Sequence, residues 1–281
     1  MTQFKEKFMQ IVFLLTACVS IAAVALICVY LLGNGIPTIL EIGFQNFFGA
    51  SWKPSKDLYG ILPMILGSIY VTAGAILIGV PIGLLSAIYL CRFSQKPVYK
   101  VLKPAVELMA GIPSIVYGFF GLMVIVPVVQ QLTGTSGKGL LTASVLLGIM
   151  ILPTIISVAE SSLQAVPEMY YEGALALGAT HERSVFSVVL PAASSGVMSG
   201  VILGVGRAIG ETMAVIMVAG NQAIMPSGIL KGLRTMTANI VLEMGYASGL
   251  HREALIATGV VLFVFILIIN TCFSLLKRRN G

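Results

Sequence analysis

The chain has 281 residues, of which 57% are hydrophobic and 10% charged, and its mean hydropathy is +0.99. Soluble domains average about 45–50% apolar and about 25% charged residues, so this composition excludes an ordinary globular enzyme and a disordered tail and demands a lipid environment. The net charge of +6 therefore bears on membrane topology before it bears on nucleic acid, which is not an expected partner.

A helix crosses a bilayer with about 20 apolar residues. Six stretches reach that length: 11–32, 61–91, 105–132, 140–165, 192–219 and 254–276. The sequence thus predicts an all-α membrane protein with an N-terminal segment over 1–10, a single transmembrane domain over 11–276 and a tail over 277–281. The first run exceeds a signal-peptide core of about 7–15 residues and reads as a retained anchor. An even number of spans puts both termini on one side. If that side is the cytoplasm, its loops carry ten basic residues (Lys5, Lys7, Arg92, Lys96, Lys100, Lys103, Arg183, Lys277, Arg278, Arg279) against six outside (Lys53, Lys56, Lys138, Lys231, Arg234, Arg252). That asymmetry obeys the positive-inside rule.

After span one, Ile36, Leu40, Phe44, Phe47 and Phe48 fall on one helical stripe, which predicts a short helix along the outer interface with Trp52 and Tyr59 in an aromatic belt. Span three contains Pro113 followed by Ser114, and the proline removes a helix hydrogen bond, so freed backbone groups there must meet protein or a polar cavity. Glu107 and Glu160 stand near the inner ends of spans three and four, where both can snorkel to the interface. Cys18, Cys28, Cys91 and Cys272 lie in or beside apolar stretches without metal or redox spacing and read as small core residues. His181 and His251 are isolated in sequence and read as surface residues; no metal site is expected.

Span five carries Arg207 and Glu211, four residues apart, with Thr212 beside them. On a continuous helix the two charges share a face, and a lone arginine at mid-membrane costs about 2.5–3.5 kcal/mol, so that face looks at protein or water. Two readings stay open: an internal ion pair that fixes helix packing, or a polar element beside an anion pathway.

Between spans four and five lies a polar insert, 166–191, with the sequence VPEMYYEGALALGATHERSVFSVVLP. Pro167 suits a first helical turn, Gly178 suits a left-handed helix end, Thr180 suits a cap for a second helix, and Leu190-Pro191 suits its stop. The insert is predicted to form a two-helix elbow at the membrane surface.

Glu172-Gly173-Ala174, then Gly178, then Val188 and Leu190-Pro191, resembles the EAA loop of ABC-importer membrane subunits, written E-A-A-x3-G-x9-I-x-L-P. Gly173 stands for the first alanine of that pattern and Val188 for its isoleucine. The stretches from Phe47 to Ile65, Gly111 to Gly118, Gly206 to Asn221 with its GRAIGETMA core, Leu233 to Ile240, and the last span with Leu262-Phe263 and Asn270 are similar to PstC-type phosphate permeases. The resemblance implies a type I permease fold of six helices in the bacterial inner membrane, carrying inorganic phosphate inward. It also implies partners: a PstA-type second permease, a dimer of ATPase subunits and an extracytoplasmic phosphate-binding protein. The elbow then becomes a cytoplasmic coupling helix, with Glu172, Gly173, Ala174, Gly178, Leu190 and Pro191 toward the ATPase, and Arg207, Glu211, Thr212, Pro113 and Ser114 become pathway residues. No cofactor is expected in this chain. ATP and Mg2+ belong on the ATPase, because the nearest approach to a phosphate-binding loop, Gly137-Lys138-Gly139, lacks the first glycine and the hydroxyl residue. Competing readings are the same architecture with sulfate or molybdate as cargo, a channel or ion-coupled carrier that needs no ATPase, and an assembly or sensor subunit without transport.

Overall fold

The computed structural model describes the backbone of residues 2–280 and the side chains of that range other than residues 2–4, 273 and 276–280. Lys277, Arg278 and Arg279, three of the basic residues counted above, thus lie outside the described side chains. Helix α1 (Thr2–Ile42) is followed by α2 (Phe44–Phe47), a small hairpin of β1 (Trp52–Lys53) and β2 (Leu58–Tyr59), and then α3 (Leu62–Ile88), which widens into a π-turn over Tyr89–Phe93. Next come α4 (Lys96–Gly111), α5 (Ser114–Phe120), a π-turn over Gly121–Ile125, α6 (Val126–Thr133) and α7 (Leu140–Gln164). The elbow contains α8 (Glu168–Ala176), α9 (His181–Ser184), a π-turn over Val185–Val189 and α10 (Leu190–Ala192). Helices α11 (Ser194–Gly210), α12 (Met213–Val218), α13 (Met236–Met244) and α14 (Leu250–Asn280) complete the chain.

Among the described residues, five helices are long and apolar enough to cross a membrane, Lys5–Ile42, Leu62–Phe93, Ser114–Thr133, Leu140–Gln164 and Leu250–Cys272. The pair His181–Ala192 and Ser194–Gly210, bent by 72°, makes a sixth crossing if its two helices count as one span. This is a multi-pass membrane protein. Three expected boundaries change. The first helix does not stop at Leu32 but continues past Pro37 to Ile42, where Gly43 at φ +84° turns the chain. The third span begins at Ser114 and not at residue 105, because Pro113 denies α5 a continuous ladder with α4. The elbow's second helix runs through Leu190-Pro191 and bends only at Ala193; the proline follows the π-turn over Val185–Val189.

Helix α7 is the axis of the bundle. Gly74, Gly79 and Gly83 of α3 face it on one side, and Gly196, Gly200 and Gly204 of α11 face it on the other. A Cβ at Gly79 would lie 2.7 Å from Ile151 Cδ1 and 2.8 Å from the Gly148 carbonyl, and one at Gly204 2.8 Å from Ile155 Cγ1, so a larger side chain at either position would force its neighbours to move. Around α7 a middle core gathers Val71, Tyr117, Leu146, Ile151, Ala214 and Val218. An elbow-end core gathers Ile88, Ile156, Leu163, Val185 and Val189, and a core at the opposite end contains Phe47, Trp52, Tyr59, Met236 and Leu255.

The expected interfacial stripe and belt divide accordingly. Leu40 and Phe44 are 75% and 68% exposed, but Phe47 is fully buried, and Trp52 and Tyr59 are buried because the hairpin pairs them on one face, rings 5.8 Å apart. The cysteines are all free; Cys18 and Cys272 face outward and Cys28 is half-buried, while Cys91 packs against the elbow-end core as a small core residue.

Candidate functional site

The fifth span is broken where its charges lie. Helix α11 ends at Gly210, and Glu211 is extended, with φ −67° and ψ 132°. This ends the helical register that would have set Arg207 and Glu211 on one face. Arg207 instead reaches α7, its Nη1 donating to Thr154 Oγ1 at 3.2 Å, and it forms no ion pair among the described residues. Glu211 turns to the break itself: its Oε1 accepts the Thr212 and Ala214 backbone N–H groups, each at 3.1 Å. These are N–H groups at the start of α12, which a carboxylate satisfies well because the helix end is positive. The Thr212 hydroxyl donates to the Gly210 carbonyl, and Thr237 at the start of α13 donates to the Glu211 carbonyl, both at 3.1 Å. Backbone freed inside an apolar span is thus bonded by side chains, as the absence of water there requires.

A second break lies just before the third span. Ile112 and Pro113 are extended, α5 starts at Ser114, and the Tyr117 hydroxyl bridges the gap by donating to the Met109 carbonyl at 2.8 Å. Helices α5 and α12 then pack so closely that a Cβ on Gly118 would lie 2.9 Å from Ala214 Cα. Pro113 and Ser114 thus open the helix that packs on α12, whose start holds Glu211 and Thr212, with Arg207 one turn before that start.

At the elbow, Gly178 has φ +83° and turns the chain between the helices, and the Thr180 hydroxyl caps α9 by accepting the Arg183 N–H. The Glu182 carboxyl is held below its ordinary range by hydrogen bonds to its own N–H and to Thr180. Glu172 and Gly173 are exposed on α8, Ala174 is half-buried, Leu190 packs on the elbow-end core, and Pro191 is exposed. His181 is no free surface residue: its Nδ1 lies 2.7 Å from the Tyr171 hydroxyl, and its ring meets Phe93 edge-on at 4.6 Å. Arg92 Nη1 bonds both Glu168 oxygens, at 2.9 and 3.1 Å, and its guanidinium lies 5.4 Å from the Tyr171 ring centre, so the end of span two is tied to the elbow.

Two buried acids escaped the sequence. Glu160 does not snorkel; it is 1% exposed and accepts Lys103 Nζ at 2.7 Å, the Tyr99 hydroxyl at 2.8 Å and Gln164 Nε2 at 3.1 Å. Its place with Ile156, Ala159 and Leu163, at steps of three and four, was the available signal. Burial works against the Lys103 ammonium, but the hydrogen bond and charge of Glu160 outweigh it and leave the lysine above its ordinary value. The stabilisation Lys103 adds is then fully present below the usual lysine range and is lost only as pH rises through the raised value. Glu107 behaves as expected, 60% exposed and 3.7 Å from Lys103. At the opposite end Glu243 accepts Trp52 Nε1 at 2.9 Å and Arg234 Nη1, and lies 2.8 Å from His251 Nε2. His251 is thus as firmly partnered as His181.

Residues 79–280 match the family model described as the binding-protein-dependent transport system inner membrane component. The chain is 38% identical to the probable ABC transporter permease protein YqgH of Bacillus subtilis, with 92% of this chain and 88% of that protein covered. It is 36% identical to the phosphate transport system permease protein PstC of Mesorhizobium japonicum (86% and 81% covered) and 33% identical to that of Haemophilus influenzae (99% and 93%). Among solved structures it is similar to a bacterial alginate ABC transporter, with TM-score 0.65 and 16% identity over 95% of this chain and 94% of that one. It is also similar to the MetNI methionine ABC transporter, with TM-score 0.59 and 21% identity over 79% and 94%. At such identities the structural likeness speaks for the fold alone, that of an ABC-importer permease.

Proposed function

The chain belongs to the family of inner-membrane components of binding-protein-dependent transport systems, and from that premise we propose that it is the PstC-type permease subunit of an ATP-driven importer of inorganic phosphate. The observation that carries the reading is identity of a third or more with phosphate permeases along most of the chain. The surroundings of Arg207 support that reading. Arg207 has no carboxylate partner among the described residues, and it stands one turn before the helix break that holds Glu211 and Thr212. An unneutralised guanidinium in a low-dielectric wall attracts an oxyanion strongly. Glu211, committed to the start of α12, maintains the break and does not hold the arginine.

The partners in this reading are a PstA-type permease, an ATPase dimer that carries ATP and Mg2+, and an extracytoplasmic phosphate-binding protein. Both termini and the 166–191 elbow face the cytoplasm. ATPase closure moves the elbow, through the exposed face of α8 around Glu172, Gly173, Ala174 and the turn at Gly178, with Leu190 and Pro191 linking it to α11. The bundle then exchanges between outward- and inward-open arrangements, with no covalent chemistry in this chain.

The test is uptake by the chain reconstituted with those partners. ATP-dependent phosphate uptake, uncompeted by sulfate or molybdate, is the expected result; equal competition would change the cargo, and uptake without the ATPase would replace the importer with a channel or carrier. Arg207→Ala should lower uptake by at least about tenfold in the assembled complex. In a chain freed of its own cysteines, single cysteines at Thr2 and Ser136 should label from opposite sides of the membrane, and labelling of both from one side would overturn the topology.

A further inference from the structure

Helix α4 is held to the bundle in an unusual way. None of its residues is fully buried: Val101 and Leu108 are 70% and 74% exposed, while Tyr99 and Val106 lie half-buried against the elbow-end core. On the inner side, a cavity of ≈ 360 Å³ opens between Leu102 and Val106 of α4 and Leu85, Tyr89 and Ile156 of the neighbouring elements. Apolar packing is therefore a weak attachment here. The firm one is polar: Lys103 and Tyr99 both bond Glu160, on the inner part of α7, only seven residues before Pro167 opens the elbow. A buried carboxylate of this kind depends on its donors, because each one lost leaves charge uncompensated away from water.

The same junction receives the elbow from its other side. Arg92 grips Glu168, and the elbow-end core joins Ile156, Ala159 and Leu163 of α7 to Val185 and Val189 of the second elbow helix. In the opposite direction α4 runs straight to the break at Ile112-Pro113, and the Tyr117 bond to Met109 ties its last turn to α5. A continuous set of contacts thus leads from the elbow through Glu160 to the break before the third span. Such a set transmits motion only where one of its members follows another as a unit.

We propose that Glu160 is a positioning residue for transport: its clasp on Lys103 and Tyr99 makes α4 move with α7 and the elbow, so that elbow movement reaches the break at Ile112-Pro113. The inference rests on the elbow being the coupling element. Its test uses the complete transporter in proteoliposomes, with phosphate uptake and ATP hydrolysis measured together. Lys103→Met and Glu160→Gln should assemble and hydrolyse ATP, while phosphate moved per ATP falls roughly tenfold. The exchanged pair, Lys103→Glu with Glu160→Lys, should recover part of that ratio, which it would not do if either charge acted apart from the other. An unchanged ratio in Lys103→Met would overturn the clasp, as would uptake and hydrolysis falling by one common factor. If the unmodified transporter showed ATP-independent uptake, the coupling reading itself would fail, and that outcome is separate. Spin labels at exposed Lys100 and Ser161 give a second readout that does not depend on transport. Their separation should stay fixed through the ATP cycle in the unmodified protein and vary in Lys103→Met; a separation that varies in the unmodified protein would overturn the proposal.

Discussion

Two buried glutamates close the molecule at opposite ends, and they do so with different materials. Glu243 is surrounded by cover: Trp52, Arg234 and His251 converge on it, Phe47, Met236 and Leu255 fill the core beside it, and the elements it joins are a hairpin, a loop and two helices. Glu160 joins a buried helix to one with no fully buried residue. The first acid belongs to a packed, redundant junction. Around the second, α4 brings only half-buried apolar groups, Tyr99 and Val106, to the core. A contact reinforced by packing fixes a shape, whereas a polar contact beside a cavity allows a part to be carried, released or re-aimed, which is what a moving element of a transporter needs.

Breaking the packed end should have the largest effect on stability. Glu243→Ala leaves Arg234 and the buried Trp52 N–H without their carboxylate and should cost about 3–5 kcal/mol, read as a large drop in the thermal midpoint of the purified complex. A loss confined to uptake, with the midpoint kept, would mean the two ends are not built differently. Next comes the axis that both ends share. Gly79→Leu drives a side chain into Ile151 and the Gly148 carbonyl and should cost about 1–3 kcal/mol or more, with reduced recovery of folded protein; unchanged recovery would show that α3 can slide on α7.

The elbow sharpens the comparison because its changes should register in coupling and barely in the midpoint. At Gly178, φ +83° is unfavourable for any L side chain by about 1–2 kcal/mol, although nothing crowds the site, so Gly178→Val should redirect α9 and lower ATPase binding and uptake. Binding and uptake at the unmodified level would remove the turn from the coupling path. The smallest effect is expected at Gly173, where a Cβ meets nothing within 4 Å and the backbone is helical. Gly173→Ala should stabilise α8 by about 0.5–1 kcal/mol, visible as helicity in the isolated 166–191 peptide, and leave uptake intact. A loss of uptake would mean that a partner surface approaches the glycine too closely to admit a methyl group.

The sequence alone determined what repeats or is local. Runs of apolar residues made the chain a multi-pass helical protein, Gly178 and Thr180 announced a turn and a cap that the structure contains, and Pro113 announced a lost helix hydrogen bond, which the structure enlarges into a break before the third span. These are properties of one segment and its own backbone, so composition and spacing suffice. Tertiary structure decided which charges meet. Arg207 and Glu211 look like partners on a helix, but the chain leaves the helix between them, because the α12 N–H groups and Thr237 offer Glu211 and its carbonyl better-placed bonds, while Thr154 on α7 takes the arginine. Glu160 looked free to snorkel until the α3–α7 contact and α4 closed over it, and Trp52 looked interfacial until the hairpin turned it toward Glu243. Hydropathy reports the average cost of placing a side chain in lipid. Which donor stands opposite a buried carboxylate depends on residues 57 and 191 positions away, and only the folded chain brings them there.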